Sequence, residues 1–204
     1  AEVVDLRGGT QEDRAKRTTE AVSNGAPVIY QGALIARVTL SDVDCEIIGD
    51  PDFLIRDGNR YLLRDTKLAR RISDRHHPEI IRQIELYGWL YEQAIGEPPS
   101  RLEVLSGTGE IVAVRYDGGT QALTLLDELL RLRIAPRPPE TAVGWSKCGG
   151  CGFHGHCWPE AEARRDVALV PGVDQNLAMV LHDRGIRSVD QLLEHFDEAS
   201  LAAV

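Results

Sequence analysis

The chain is predicted to fold as an α/β protein built on a mixed central sheet, and three features of the sequence predict it. Strand-length apolar runs at 28–31, 45–48 and 61–64 alternate with segments whose apolar residues recur at helical spacing. Two alternating runs, 101–106 and 111–116, flank a Gly107-Thr108-Gly109-Glu110 turn and read as a hairpin. The tail, by contrast, carries only helical patterning, so a small all-α unit is expected after the sheet.

Taken in order, a helix is expected over 12–23, stopped by Gly25, and is followed by the strand at 28–31. The strand at 45–48 is read as running on into Asp52, and the strand at 61–64 runs into Asp65. A longer helix over 78–94 carries Gln83 and Tyr87, four apart and therefore on one face. The hairpin comes next, then a helix over 120–132 with Leu123, Leu126 and Leu130 on one side. Prolines at 136, 138 and 139 predict a stiff link to a glycine-rich cysteine loop. In the tail, the turn at 169–174, a helix to Arg184, the turn at 185–189 and a last helix form a helical hairpin. The expected division is a main domain over 1–160, cysteine loop included, and a helical segment over 161–204.

Composition fits a folded domain with a core of its own. The chain has 204 residues, 43% hydrophobic and 27% charged. No apolar run approaches the roughly 20 residues that span a bilayer, and no signal peptide is visible, so no membrane partner and a cytoplasmic location are expected. The start at Ala1 and the ending at Ala202-Ala203-Val204 read as an excised region of a longer polypeptide. The net charge of −9 works against nucleic-acid binding overall. Its distribution works the other way. From Arg56 to Arg82 there are eight Lys or Arg residues against four acids, which reads as a positive strip, with Arg70 and Arg71 as its centre.

The chemistry concentrates on Asp52, Asp65 and Lys67. Alternation along a strand turns Asp65 and Lys67 to one side and Thr66 to the other. Two carboxylates beside one lysine can hold a hard divalent cation and still present a positive charge to a phosphate, which suits phosphodiester hydrolysis. The apolar strand before Asp65 argues that this acid is buried with a partner. Of the four cysteines, Cys148, Cys151 and Cys157 fall within ten residues, a spacing that suggests metal in a reducing compartment. Glycines at 149, 150, 152 and 155 would let the backbone wrap a centre closely. Iron–sulfur and zinc both remain open from these residues alone, with His154 or His156 available to complete a zinc site.

The set Gly49-x-x-Asp52, Asp65-x-Lys67 and Gln83-x-x-x-Tyr87, in this order, resembles the RecB-like branch of the PD-(D/E)XK nucleases. Cys148-x2-Cys151-x5-Cys157 resembles the C-terminal part of the iron–sulfur motif of CRISPR-associated RecB-family exonucleases and related helicase–nucleases. The run Asp65-Thr66-Lys67-Leu68-Ala69-Arg70 resembles a subgroup in which a helix-hairpin-helix-like segment follows the cysteines. The resemblance spans about residues 18–193, each motif alone being weak and the set strong.

It implies a restriction-endonuclease-like core and a Mg²⁺- or Mn²⁺-dependent nuclease acting on DNA, single strands or ends, in repair, recombination or defence. Asp52, Asp65, the Thr66 carbonyl and an acid on the first helix, for which Glu20 is the candidate, would be the metal ligands. Asp50 is a rival to Asp52, which fits the family spacing better. Lys67 would stabilise the transition state, with Gln83 and Tyr87 holding substrate or loop. The cysteines would hold a 4Fe–4S cluster, with zinc as the alternative, and the fourth ligand is expected on a segment upstream of Cys45. DNA is the implied partner, together with a helicase or further domain of the same polypeptide. The alternative is a catalytically inactive nuclease-like module that binds DNA or a protein.

Overall fold

The computed structural model describes residues 2–136 and 141–196. Pro138, Pro139 and the ending at 202–204 lie outside the described residues. The chain divides into two units, Ala1–Pro136 and Arg137–Val204, each with its own apolar core. The boundary thus falls at Pro136 and not at residue 160, and packing is the reason. Cys148, Cys157 and Trp158 lie against the core that holds Val167, Ala178 and Leu181, so the cysteine loop belongs with the C-terminal helices.

The first unit runs β1 (Val3–Asp5), α1 (Gln11–Ser23), β2 (Val28–Tyr30), β3 (Leu34–Leu40), β4 (Val43–Gly49), β5 (Phe53–Asp57), β6 (Arg60–Thr66), α2 (Pro78–Ile95), β7 (Leu102–Leu105), β8 (Ile111–Val114) and α3 (Thr120–Ile134). Six strands form one mixed sheet in the order β1-β2-β5-β6-β7-β8. The pairs β1·β2 and β6·β7 are parallel, and β2·β5, β5·β6 and β7·β8 are antiparallel. The expected α/β class with a mixed central sheet is therefore what the chain forms.

One strand assignment is corrected. The run at 45–48 does not lead into Asp52 within the central sheet. It is part of β4, which pairs only with β3 in a separate two-stranded sheet. Ser41 and Asp42, at φ of 46° and 61°, make the two-residue turn between them, the left-handed pair that matches strand twist. Asp50 and Pro51 then carry the chain across, and Asp52 comes just before β5.

Helix α2 organises the core. Pro78 begins it and Gly96 ends it in the left-handed conformation. It buries Ile80, Ile81, Ile84, Tyr87, Leu90 and Tyr91, residues from most of its circumference, because it touches both sheets and α3. Gly49 shows how close this approach is. A Cβ there would fall 2.5 Å from Leu90 Cδ1 and 2.9 Å from the Tyr87 ring. The expected helix at 12–23 is α1, begun by Thr10, whose hydroxyl accepts from Asp13 N at 3.2 Å.

The second unit contains α4 (His154–Arg164), α5 (Gln175–Asp183) and α6 (Val189–His195). Asp166 is buried within it and accepts hydrogen bonds from Ala168 N at 3.0 Å and from His182 Nε2 at 3.0 Å. Asp174 caps α5, accepting from Leu177 N at 2.8 Å. No helix of the described residues is long and apolar enough to cross a membrane.

Candidate active site

Register places the two central acids together. In the β5·β6 pair, Phe53 faces Arg64 and Leu54 faces Leu63, so one residue further out Asp52 faces Asp65. Opposed residues of an antiparallel pair share a face, so both carboxylates open on the same side of the sheet. Asp65 is buried and Lys67 Nζ stands 2.7 Å from its Oδ2. Burial pushes the Asp65 carboxyl above its usual range, the Lys67 hydrogen bond and charge oppose this, and the neighbouring Asp52 pushes it further up.

Asp52 is held from two sides. Gln31 Nε2 donates to its Oδ1 at 2.7 Å. The Thr66 amide donates to its Oδ2 at 2.8 Å, and the Thr66 hydroxyl donates to the same oxygen. The amide and hydroxyl of Thr66 thus orient Asp52. Gln31 itself sits at φ 55°, a left-handed conformation costly for a side chain with a Cβ. Its amide also bonds Asp52 O at 2.8 Å.

Gln83 and Tyr87 are joined on α2, and the Tyr87 phenol lies close enough to the acids to feel their charge. Gln83 Nε2 donates to Tyr87 Oη at 2.8 Å. The Tyr87 phenol is pushed up to about 12, first by burial and then by the negative charge of Asp65, with smaller contributions from Asp50 and Asp52. It stays protonated throughout the physiological range and keeps an O–H to donate.

Glu20 is not brought to the site. Its side chain is exposed and lies 4.0 Å from Lys16. Helix α1 turns Gln11, Arg14 and Thr18 inward, and Glu20 stands about 200° round from Thr18. Where an acid was expected, the helix presents Arg14. Its Nη2 donates to Gln31 O at 2.7 Å and its Nη1 lies 3.2 Å from Asp50 Oδ1. That contact is an ion pair by distance but lacks hydrogen-bond geometry, leaving Arg14 Nε and Asp50 Oδ1 buried without a hydrogen-bond partner. Gln11 Nε2 donates to Asp50 Oδ2 at 3.2 Å. Asp50 therefore answers to Arg14 and Gln11, and Asp52 alone faces Asp65.

The positive strip is narrower than the residue count implied. Arg64 pairs with Glu103 at 2.6 Å, and Arg82 pairs with Glu85 at 2.5 Å and Asp74 at 2.7 Å. Arg56, Arg60, Arg70, Arg71 and Arg75 remain exposed and without an ion pair among the described residues, the last three on the loop that follows Lys67.

Asp52 and Asp65 give hard oxygens on one face, a pair of like charges that a cation relieves. Mg²⁺ and Mn²⁺ are commonly held by one or two carboxylates with water and phosphate completing the shell. The fit is good for two ligands, and no group of three His, Cys, Asp or Glu converges among the described residues. The cysteine loop fits less well. Cys148 Sγ accepts from Gly144 N at 3.3 Å and Cys151 Sγ accepts from Phe153 N at 3.5 Å, as thiolates around a cluster do. Cys45 lies in the other unit on β4, its thiol donating to Val43 O. His154 stacks on Trp158, and His156 lies 3.6 Å from Glu160. The described residues of this unit thus supply three thiols and do not by themselves close a four-thiolate cluster.

No family model matches the chain, and no curated protein matches it. A solved structure titled "Crystal structure of SSO0001" aligns over 71% of this chain and 67% of its own, at 17% identity and a TM-score of 0.44. A likeness at that level is distant and assigns no activity.

Proposed function

We propose that the first unit is a metal-dependent nuclease of the RecB-like PD-(D/E)XK kind, hydrolysing phosphodiester bonds of DNA. The observation that carries this is the pairing of Asp52 with Asp65 across β5 and β6, with Lys67 Nζ 2.7 Å from Asp65. Asp52 and Asp65 are the residues that would hold Mg²⁺ or Mn²⁺. When bound, such an ion supplies a water of lowered pKa and neutralises charge on the phosphate oxygens. Gln31 and Thr66 fix the angle of Asp52 before any ligand arrives, which is the preorganisation that such a site needs. Lys67, partly exposed at the mouth, offers its ammonium to the charge that builds on the phosphate. Tyr87, still protonated and held by Gln83, keeps an O–H that it could donate to substrate. In the second unit, Cys148, Cys151 and Cys157 are the candidate thiolates for an iron–sulfur or zinc centre, and the loop would have to draw them together to hold one.

The test is cleavage of a single-stranded oligonucleotide with Mn²⁺ present and absent. Asp65→Ala is expected to lower the rate by at least about 10²-fold while the protein stays folded. Undiminished metal-dependent cleavage by that variant overturns the assignment. A second reading is favoured by one observation: α1 presents Arg14 where a third acid was expected. On that reading the unit binds DNA without cutting it. DNA binding with neither cleavage nor a Mn²⁺-dependent rise in Tm would select it.

A further inference from the structure

Leu68 follows Lys67 directly and is 95% exposed, the most exposed large apolar side chain among the described residues. Exposure of this kind usually marks a mobile segment, and here the backbone is pinned. Lys67 N donates to Leu105 O at 2.9 Å and Gly107 N donates to Ala69 O at 3.0 Å. The turn at Gly107 presses so closely that a Cβ there would fall 2.3 Å from the Leu68 carbonyl oxygen. Ala69 and Ile72, next along the loop, pack into the core. A leucine is thus held out on a rigid mount, with its side chain absent from the core that its neighbours join.

Its surroundings name the occupant. Arg70, Arg71 and Arg75 stand exposed on the same loop without ion pairs among the described residues, and Asp65 and Lys67 precede it. A protein partner would meet a leucine on a loop that also carries three exposed arginines without ion pairs among the described residues. A nucleic-acid strand brings phosphates for the arginines and an apolar base face for the leucine, and leucine is among the side chains that wedge between base steps. We propose that Leu68 contacts a nucleobase next to the phosphate engaged by Lys67, and that this contact makes the site prefer unpaired DNA over intact duplex. The proposal rests on the nuclease reading for its placement. In a duplex every base face except the outer faces of the terminal pairs is covered by stacking, so away from the ends Leu68 would have to unstack pairs to gain the contact.

The test uses the full chain with a 2-aminopurine-labelled single strand and the blunt duplex of the same sequence. Binding is read by fluorescence in the Asp65→Asn background, and cleavage is read with Mn²⁺ in the otherwise wild-type protein. Leu68→Ala is expected to weaken single-strand binding about tenfold, to leave duplex binding nearly unchanged and to leave Tm unchanged. Leu68→Met is expected to restore most of the loss. Equal single-strand binding and cleavage by wild type and Leu68→Ala overturn the base contact and leave the nuclease reading standing. Leu68-dependent binding without any cleavage by wild type supports the contact and overturns the nuclease. Absence of DNA binding by the wild-type chain overturns both.

Discussion

Asp65 is an acid that the fold holds at a cost. Its ordinary pKa is 3.8 and burial raises it, more than Lys67 lowers it. The folded state therefore binds this proton more tightly than the unfolded chain does. The penalty is absent below about pH 3.8, grows as pH rises past that value, and is complete above the raised folded pKa. Asp65→Asn is accordingly expected to raise Tm at pH 7, with the gain shrinking as pH falls towards 4, checked by calorimetry across that range. Saturating Mn²⁺ should stabilise the wild type, by about 2.7 kcal/mol at a hundredfold excess over Kd, and leave Asp65→Asn nearly unmoved. A metal-free gain in Tm on Asn substitution that is as large near pH 4 as at pH 7 would contradict the burial argument. The pair was legible in the sequence because strand alternation and the short step between the two acids leave few ways to separate them. Gln31 and Arg14 were not legible. Gln31 reads as one more strand residue, and only its φ of 55° turns it back onto Asp52. Arg14 reads as an ordinary helix cation, and its role depends on which helix face meets the loop after β2. That same choice of face removed Glu20.

Between elements, the contact of β4 with α2 joins two of the sequence motifs physically. Gly49 precedes Asp52 by three residues, and the space its missing Cβ leaves is filled by Leu90 and by the ring of Tyr87. The glycine is required by close approach, and the tyrosine it admits is the one whose phenol feels the charge of Asp65. Gly49→Ala is expected to push β4 off α2 and to destabilise the protein by about 1–3 kcal/mol, read as a lower urea midpoint with unchanged slope. Because the displaced ring is Tyr87, metal-dependent cleavage should fall along with stability. A neutral Gly49→Ala would mean that the ring has room to move. Helix α2 was readable in the sequence almost to the residue, since Pro78 and Gly96 bracket an unbroken apolar pattern. The β3–β4 hairpin was not. Its turn uses Ser41 and Asp42 at positive φ without the glycine that normally signals such a turn, so the run at 45–48 read as part of the central sheet.

At the scale of the whole molecule, charge and division into units act together. The chain carries −9 overall, yet at physiological salt charges beyond about 8 Å are largely screened, so a local patch decides whether a phosphate is attracted. The sequence showed the patch but overcounted it, because pairing of Arg64 and Arg82 with acids is invisible until the strands and helix are assembled. It also showed the cysteine loop but assigned it to the wrong unit, because the apolar residues that receive Cys148 and Cys157 lie later in the chain, at Val167, Ala178 and Leu181. The loop after Lys67 contributes Arg70, Arg71 and Arg75 without ion pairs among the described residues, a footprint of few phosphates. Such a footprint fixes the salt dependence. Each phosphate contact on a single strand contributes about 0.7 to the slope of log affinity against log salt, so replacing Arg70 and Arg71 together by alanine should flatten that slope by about 1.4. Affinity should fall by a similar factor for every sequence tested, since phosphate contacts carry no base information. Leu68→Ala, in contrast, should weaken binding while leaving the slope where it was. Titrations of the same oligonucleotide at several salt concentrations separate the two, and an unchanged slope in the double arginine variant would remove this loop from the path of the strand.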